Sequence, residues 1–286
     1  MRYAYYPGCS LDSSARDYDE SARAVMAALG VELEDLQDWN CCGGGAVSSV
    51  DPDLALAFSA RNIALAEEKH MDLATSCAAC YTNLRRARTF ITGKTPAGDR
   101  LRGALAEVNR HVAGTAQVKH ILEILLHDVG LKAIKVVVTQ PLAGLKVAAY
   151  YGCQLGRPAG GFIHPEIPTQ LDDLVAALGA TPVAWRGKVR CCGASTMITK
   201  EAAALGLAND LLTDAEKAGA QLIVTACPLC QMNLDAYQPR INAVTGQGHK
   251  LPVVYFTQLM QIAFGQRPTF QFNFVSAEPA LREVLK

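Results

Sequence analysis

Ten of the 286 residues are cysteines, at a spacing regular enough to suggest a shared chemistry. Cys9 is followed after 31 residues by the pair Cys41-Cys42, and after a further 34 by Cys77-x-x-Cys80. Cys153 is followed after 37 residues by Cys191-Cys192, and after 34 more by Cys227-x-x-Cys230. One five-cysteine pattern therefore occurs twice, offset by 144 residues at the first cysteine and by 150 at the other four. The flanks repeat too. Tyr5-Tyr6-Pro7-Gly8 precedes Cys9 and Tyr150-Tyr151-Gly152 precedes Cys153. Each cysteine pair is followed by glycine, Gly43 or Gly193, and Asn83-Leu84 returns as Asn233-Leu234. Such self-similarity marks an internal duplication.

Cysteines bind soft metals as thiolates, exchange with disulfides, or fill cores as small apolar groups. A four-thiolate zinc site could use both CxxC pairs, but these lie 150 residues apart and six cysteines would be left over. A thioredoxin-type centre needs one CxxC, not two, each with three companions. Simple burial does not account for adjacent cysteines repeated in register before glycine. The pattern points to iron–sulfur chemistry. An ordinary cluster takes four thiolates, whereas each repeat offers five. Either the fifth is catalytic or the cluster is not an ordinary cube, and spacing fits both.

The elements that must position these thiols read as alternating strands and helices. Strands are expected at 2–6, within 31–39, and at 73–76, with helices at 15–29, from the N-cap Asp51 and Pro52 to about 69, and from within 77–88. The second half repeats the order, with strands at 146–151, 183–185 and 222–225 and helices at 171–178 and 200–218. This alternation predicts an α/β protein made of two similar halves, each with a parallel sheet. The halves are 1–143, a repeat with linker helices, and 144–286, a repeat with a C-terminal tail. Ends of parallel strands gather at one rim, so the cysteines, each following a strand, can converge there between the halves. Gly43, Gly44, Gly45 and Gly193 are expected to let backbone approach a bulky ligand.

Composition narrows the partners. There are 27 basic and 27 acidic residues, split 15 to 17 in the first half and 12 to 10 in the second, so no basic excess suits nucleic acid. No apolar run approaches the ~20 residues of a membrane span, and the first residues lack a signal-peptide core, so a cytoplasmic protein is expected. Charged residues are 19% of the chain, which agrees with a subunit that buries surface against others.

The doubled pattern resembles the cysteine-rich, CCG-domain family, which includes the B subunit of heterodisulfide reductase, across roughly residues 1–265 with all ten motif cysteines present. The resemblance implies two [4Fe-4S] clusters of noncubane type, one on Cys9, Cys41, Cys42, Cys77 and Cys80, the other on Cys153, Cys191, Cys192, Cys227 and Cys230. It implies that a disulfide is cleaved or formed between them. It also implies electron exchange with a ferredoxin-like iron–sulfur subunit and a flavoprotein subunit, and through such partners an association with the membrane. No G-x-G-x-x-G after a strand, Walker loop or H-E-x-x-H occurs in the chain itself. Related modules serve succinate/fumarate and glycolate/lactate oxidoreductases, which leaves a second reading: an electron conduit without a substrate site of its own.

Other residues carry less. The repeats differ most after the first cysteine, where Gln154-Leu155-Gly156-Arg157-Pro158 and a Gly-rich stretch with His164 replace Ser10-Leu11-Asp12-Ser13-Ser14. Arg157 there is a candidate to orient an anionic arm of an asymmetric substrate. Arg85, Arg86 and Arg88 read as a solvated helix face. His111, His120 and His127, near a helical pattern at 118–127, read as surface or core residues. Trp39 and Trp185 are expected to pack near the cysteine sites as part of each half's core. The tail from 265 either docks on a partner or covers an edge.

Overall fold

A computed structural model describes every residue except 158–160, 283, 285 and 286. Pro158 and the start of the Gly-rich stretch in the divergent loop lie outside the described residues. Two four-stranded sheets form the frame. In the first, β1 (Arg2–Tyr6), β2 (Glu32–Asp35), β3 (Leu73–Thr75) and β4 (Val118–His120) are arranged β2-β1-β3-β4. In the second, β5 (Lys146–Tyr150), β6 (Thr181–Pro182), β7 (Leu222–Thr225) and β8 (Val253–Tyr255) are arranged β6-β5-β7-β8. All pairings are parallel. The α/β class and the duplication expected from the cysteine pattern are therefore present.

Local sequence explains most elements. The helix Arg16–Ala28 opens with Asp17 and Asp19, buries Tyr18, Ala22, Val25 and Met26, and is ended by Gly30 at φ +71°. The helix Pro52–Glu68 starts where the Asp51 carboxylate accepts the amides of Asp53 (3.1 Å) and Leu54 (3.0 Å), with proline in its first turn. Its counterpart is Glu201–Lys217. In the central strands β1 and β5 only the first residue is exposed, and β7 is wholly buried, as parallel strands covered on both faces must be.

Three expectations change. The strand expected at 183–185 lies at Thr181–Pro182. Beyond it the Val183 amide still reaches the Val147 carbonyl (2.9 Å), but the Trp185 indole N–H takes the Ala149 carbonyl (3.0 Å). A side chain thus supplies the donor that a longer strand would have supplied. The pattern at 118–127 is not helical throughout: it begins as β4 and only then turns into a short helix, Ile121–Glu123, and a π-helical turn, Ile124–Val129. Edge strands β4 and β8, three residues each, escape periodicity because they are too short to alternate. Finally, Gly43 and Gly193, directly after the cysteine pairs, make room for helices, while Gly44 lies beside Cys42 Sγ, as expected of a glycine near the site. A Cβ on Gly43 (φ +74°) would lie 2.9 Å from the Ala55 Cα, and one on Gly193 (φ +84°) 2.8 Å from the Ala204 Cα.

The halves meet along a seam. Helix Arg16–Ala28 packs on helix Phe256–Ala263, with Tyr18 stacked on Tyr255 at 4.1 Å and Ser21 Oγ 2.6 Å from Thr257 Oγ1. The tail covers an edge of its own chain. Thr269 Oγ1 and the Phe272 amide donate to Asp17 (both 3.0 Å), Asn273 Nδ2 to the Val253 carbonyl of β8 (2.8 Å), and the Phe274 amide to Asp235 (2.6 Å). Asp17 and Asp235 are buried, so these bonds satisfy two carboxylates that water does not reach. Among the described residues no helix is long and apolar enough to cross a membrane.

The glycine contacts set a stability test. Gly193→Ala combines left-handed backbone with a clash against helix backbone and should cost about 3 kcal/mol. Gly219→Ala, at φ +78° with open space around it, should cost about 1 kcal/mol. Thermal melts should rank them in that order, and equal losses would mean that the Ala204 contact carries no weight.

Candidate functional site

Each repeat delivers its thiols to one rim by the same devices. Cys9 sits in the single turn Gly8–Leu11 directly after β1, and Cys153 three residues after β5. Gly8 and Gly152 hold left-handed backbone, where a Cβ would lie 3.0 Å from Cys80 Sγ and 3.1 Å from Cys230 Sγ. These two glycines, with Gly44, where a Cβ would lie 3.4 Å from Cys42 Sγ, keep space beside the sulfurs. The phenols ending β1 and β5 support the cysteine pairs. Tyr6 donates to the Asn40 carbonyl (3.0 Å) and Tyr150 to the Arg190 carbonyl (2.7 Å), each just before a pair. Burial pushes both phenols well above their ordinary pKa, so they remain protonated donors. Trp39 lies edge-on to Tyr6 and Trp185 tilted against Tyr150, beneath the sites.

The repeated asparagines also point here. Asn83 Nδ2 donates to Cys42 Sγ (3.6 Å) and Asn233 Nδ2 to the Cys192 carbonyl (2.6 Å). Cys77 and Cys227 stand at the N-caps of helices Ala78–Thr92 and Pro228–Asp235, so Cys80 and Cys230 fall within the first turns.

The sulfurs of each repeat lie close enough to act on one another. In the first, Cys9 acts on Cys41, Cys41 on Cys42, Cys42 on Cys80, and Cys80 on Cys77. In the second, Cys153 acts on Cys191, Cys192 lies 3.6 Å from Cys230, and Cys230 acts on Cys227. Across the seam, the Cys77 and Cys227 thiols act on each other. All ten are free thiols; Cys9 is exposed, Cys41, Cys153 and Cys191 are half-buried, and the other six are buried. The first cysteine of each adjacent pair is favoured as thiolate, as is Cys227, which the Cys230 and Cys77 thiols and the backbone amides of Cys230 and Leu229 hold well below the ordinary range. The Cys42 and Cys9 thiols and the Gly43 amide hold Cys41 far below the ordinary thiol range. The Cys153 thiol, the Gly193 amide and the Arg157 charge bring Cys191 to about 6.

Separation in sequence is thus no separation in space: the CxxC pairs, 150 residues apart, come close enough at the seam for Cys77 and Cys227 to act on each other. Sequence distance therefore does not bar a shared zinc site, but such a site would still leave six cysteines unused. Among the described residues, no group of three or more His, Cys, Asp or Glu is arranged to hold a metal ion. The groups acting most strongly on each thiol are other thiols, backbone amides, Asn83 and Arg157. An all-sulfur donor set with amide donors around it fits iron–sulfur ligation better than a hard cation.

Arg157 is exposed, and its charge acts on both Cys153 and Cys191. The other basic residues have local roles. Arg88 Nε donates to the Ala116 carbonyl (2.9 Å), Arg86 lies over Phe90, and Arg85 lies over Tyr81 and donates to its hydroxyl (3.3 Å). His164 Nδ1 accepts the amides of Glu166 (3.2 Å) and Ile167 (3.1 Å). His111 is exposed, and His127 packs edge-on against Phe162. His120 is the residue sequence reasoning undervalued. It is fully buried at the end of β4, beside the segments that carry Cys77 and Cys227. Nothing in the local sequence marks it, because its partners come from two distant loops.

A model of the cysteine-rich CCG domain matches residues 3–85 and 147–235, and the chain belongs to that family. Among named relatives, it is 35% identical over 265 residues to the 8-methylmenaquinol:fumarate reductase membrane anchor subunit of Wolinella succinogenes, covering 92% of both chains. It is 32% identical over 272 residues to the B subunit of the ferredoxin/F420H2-dependent CoB-CoM heterodisulfide reductase of Methanosarcina acetivorans, covering 93% of this chain and 90% of that one. A solved structure of a hypothetical protein from Helicobacter pylori superimposes with a TM-score of 0.74 at 13% identity. That match covers 93% of this chain and 49% of the other, and it shows a shared fold.

Burial holds His120 neutral by lowering its pKa to about 4, whereas an unfolded histidine titrates near 6.5. Its contribution to stability is therefore present above about pH 6.5 and is lost as pH falls toward 4. The melting-temperature gap between the wild type and His120→Gln should narrow across that window. A gap constant from about pH 7.5 to about 4.5 would contradict it.

Proposed function

We propose that this chain is an iron–sulfur oxidoreductase subunit that cleaves or forms a disulfide at the seam between its repeats. The observation that carries this reading is the closeness of the two CxxC loops, whose Ser76 and Ala226 carbonyls lie 2.8 and 3.2 Å from one nitrogen, His120 Nε2, so that two five-thiol groups border one seam. Cys9, Cys41, Cys42, Cys77 and Cys80 would hold one [4Fe-4S] cluster, and Cys153, Cys191, Cys192, Cys227 and Cys230 the other, both of noncubane type. Bound clusters would supply one-electron steps, two of which complete the reduction of one disulfide and two protons to two thiols. The family relation supports this assignment, and we place the division of the chain between residues 143 and 144. Electrons would be exchanged with a ferredoxin-like subunit and a flavoprotein subunit, in the cytoplasm or at a membrane reached through such partners.

The chain's own residues hold and tune the site. Tyr6 and Tyr150 fix the cysteine pairs, Gly8 and Gly152 keep space beside Cys80 and Cys230, and Arg157 biases Cys153 and Cys191 toward thiolate. Arg157 would also receive an anionic arm of the substrate and so set its direction between unlike half-sites. A second reading is favoured by the fumarate reductase relative: an electron conduit within a quinol-linked succinate/fumarate, or a glycolate/lactate, oxidoreductase. Turnover of a small disulfide by the isolated chain with a one-electron donor supports the first reading. Electron passage only with a flavoprotein partner supports the second.

Anaerobically purified protein should carry about eight irons with matching acid-labile sulfide. About one zinc per chain with negligible sulfide would instead support a four-thiolate site built from the neighbouring CxxC pairs. Cys42→Ser and Cys192→Ser should each abolish only part of the electron paramagnetic resonance signal. Loss of all iron from a folded single variant would argue for one shared centre.

Arg157→Leu should raise KM for an anionic disulfide with little change in kcat, the pattern for lost uniform binding. An unchanged KM at full iron content would return Arg157 to an ordinary surface role.

A further inference from the structure

The two CxxC loops share one hydrogen-bond donor. His120 Nδ1 accepts the Leu122 amide (3.1 Å), so the proton of the neutral ring resides on Nε2. That N–H points at the carbonyl of Ser76 (2.8 Å) and the carbonyl of Ala226 (3.2 Å). Ser76 immediately precedes Cys77, and Ala226 immediately precedes Cys227. One bifurcated donor thus ties together, across the seam, the two loops that carry Cys77 and Cys227. The ring is packed edge-on to Tyr81 and near-parallel to Phe162, which limits its rotation.

The duplication shows that this tie belongs to one side alone. β4 and β8 hold the same register against their neighbours, Thr75 opposite His120 and Thr225 opposite Tyr255. Both residues also begin a helical turn with a reciprocal cap, from Glu123 in one case and Gln258 in the other. Tyr255, however, sends its hydroxyl to Gln231 (3.3 Å) and stacks on Tyr18. The second repeat therefore contributes an aromatic contact where the first contributes the staple.

We propose that His120 is a positioning residue that sets the spacing of the two cysteine centres by stapling the Ser76 and Ala226 carbonyls. Its consequence for electron exchange rests on the cluster reading above, but the staple itself does not. Loss of the Nε2 donor leaves two buried carbonyls to find other partners, and the CxxC loops separate.

Wild type, His120→Leu, His120→Gln and Ser21→Ala, the last removing a seam hydrogen bond elsewhere, form the test set. Iron content of the wild type judges the cluster reading alone, since iron-free protein overturns that reading and leaves the staple standing. The staple is judged on chelator-stripped protein oxidised with diamide. There each cross-link joins two thiols while the azo compound takes up two electrons and two protons. Peptide mass spectrometry follows the Cys77–Cys227 cross-link against Cys192–Cys230, a pair within one repeat that reports retained folding. His120→Leu should lower that ratio about tenfold, the size of one well-made buried hydrogen bond, with partial recovery in His120→Gln and none of the loss in Ser21→Ala. In iron-loaded protein, His120→Leu should shift both reduction potentials and weaken magnetic coupling between the centres. An unchanged cross-link ratio, or unchanged potentials and coupling in loaded His120→Leu, would overturn the proposal.

Discussion

Parallel strand pairing with a common rim is the constraint on which everything else rests. The register places Tyr6 opposite Thr75 and Thr75 opposite His120 in one sheet, and Tyr150 opposite Thr225 and Thr225 opposite Tyr255 in the other. Chain leaving β1, β3, β5 and β7 therefore emerges at matched heights, carrying Cys9, Cys77, Cys153 and Cys227. Only the cysteine pairs need further help, because they lie several residues beyond short edge strands. That help comes from the phenols of Tyr6 and Tyr150 below and from Ser59, whose hydroxyl holds the Cys42 carbonyl at 2.7 Å. A slip of one residue in β1 would turn Tyr6 to the opposite face and leave the Cys41-Cys42 segment unsupported.

Duplication supplied two similar thiol groups, and divergence made them unequal. The first pair, Cys41-Cys42, is followed by three glycines and a short helix, the second by one glycine and a single 3₁₀ turn. Helices Ala78–Thr92 and Pro228–Asp235 begin alike but differ almost twofold in length, fifteen residues against eight. The loop after Cys153 reaches across to the first repeat, where Thr82 Oγ1 donates to the Gln154 carbonyl (2.9 Å). The seam is consequently polar and loop-bordered near Thr82, and aromatic near Tyr18 and Tyr255. A substrate or partner approaching it meets two chemically different sides.

Much of this was legible in the sequence, for identifiable reasons. β1, β7 and the helix beginning at Pro52 fall where apolar pattern and the Asp51-Pro52 start signal place them, because these are local properties. The cysteine repeat disclosed the duplication without any knowledge of the fold. What stayed hidden depends on distant chain. Trp185 completes an edge with its indole, which no propensity encodes. Gly43 and Gly193 look like ligand-facing glycines until helices 12 and 11 residues downstream, at Ala55 and Ala204, are seen against them. The linear distance between CxxC pairs suggested separate sites, and only the seam brings Cys77 to Cys227.

The tail has a consequence for synthesis. Asp17 receives its partners from Thr269 and Phe272, which lie 252 and 255 residues further along the chain. At ribosomal speeds of about 5–20 residues per second, that interval lasts roughly ten to fifty seconds. Throughout it, helix Arg16–Ala28 lacks both its packing partner Phe256–Ala263 and the donors that quench its buried carboxylate. The seam therefore cannot close until Phe272 has been made. A metal centre that depended on that seam would mature only after that point, whereas one served by a single repeat would have no such delay.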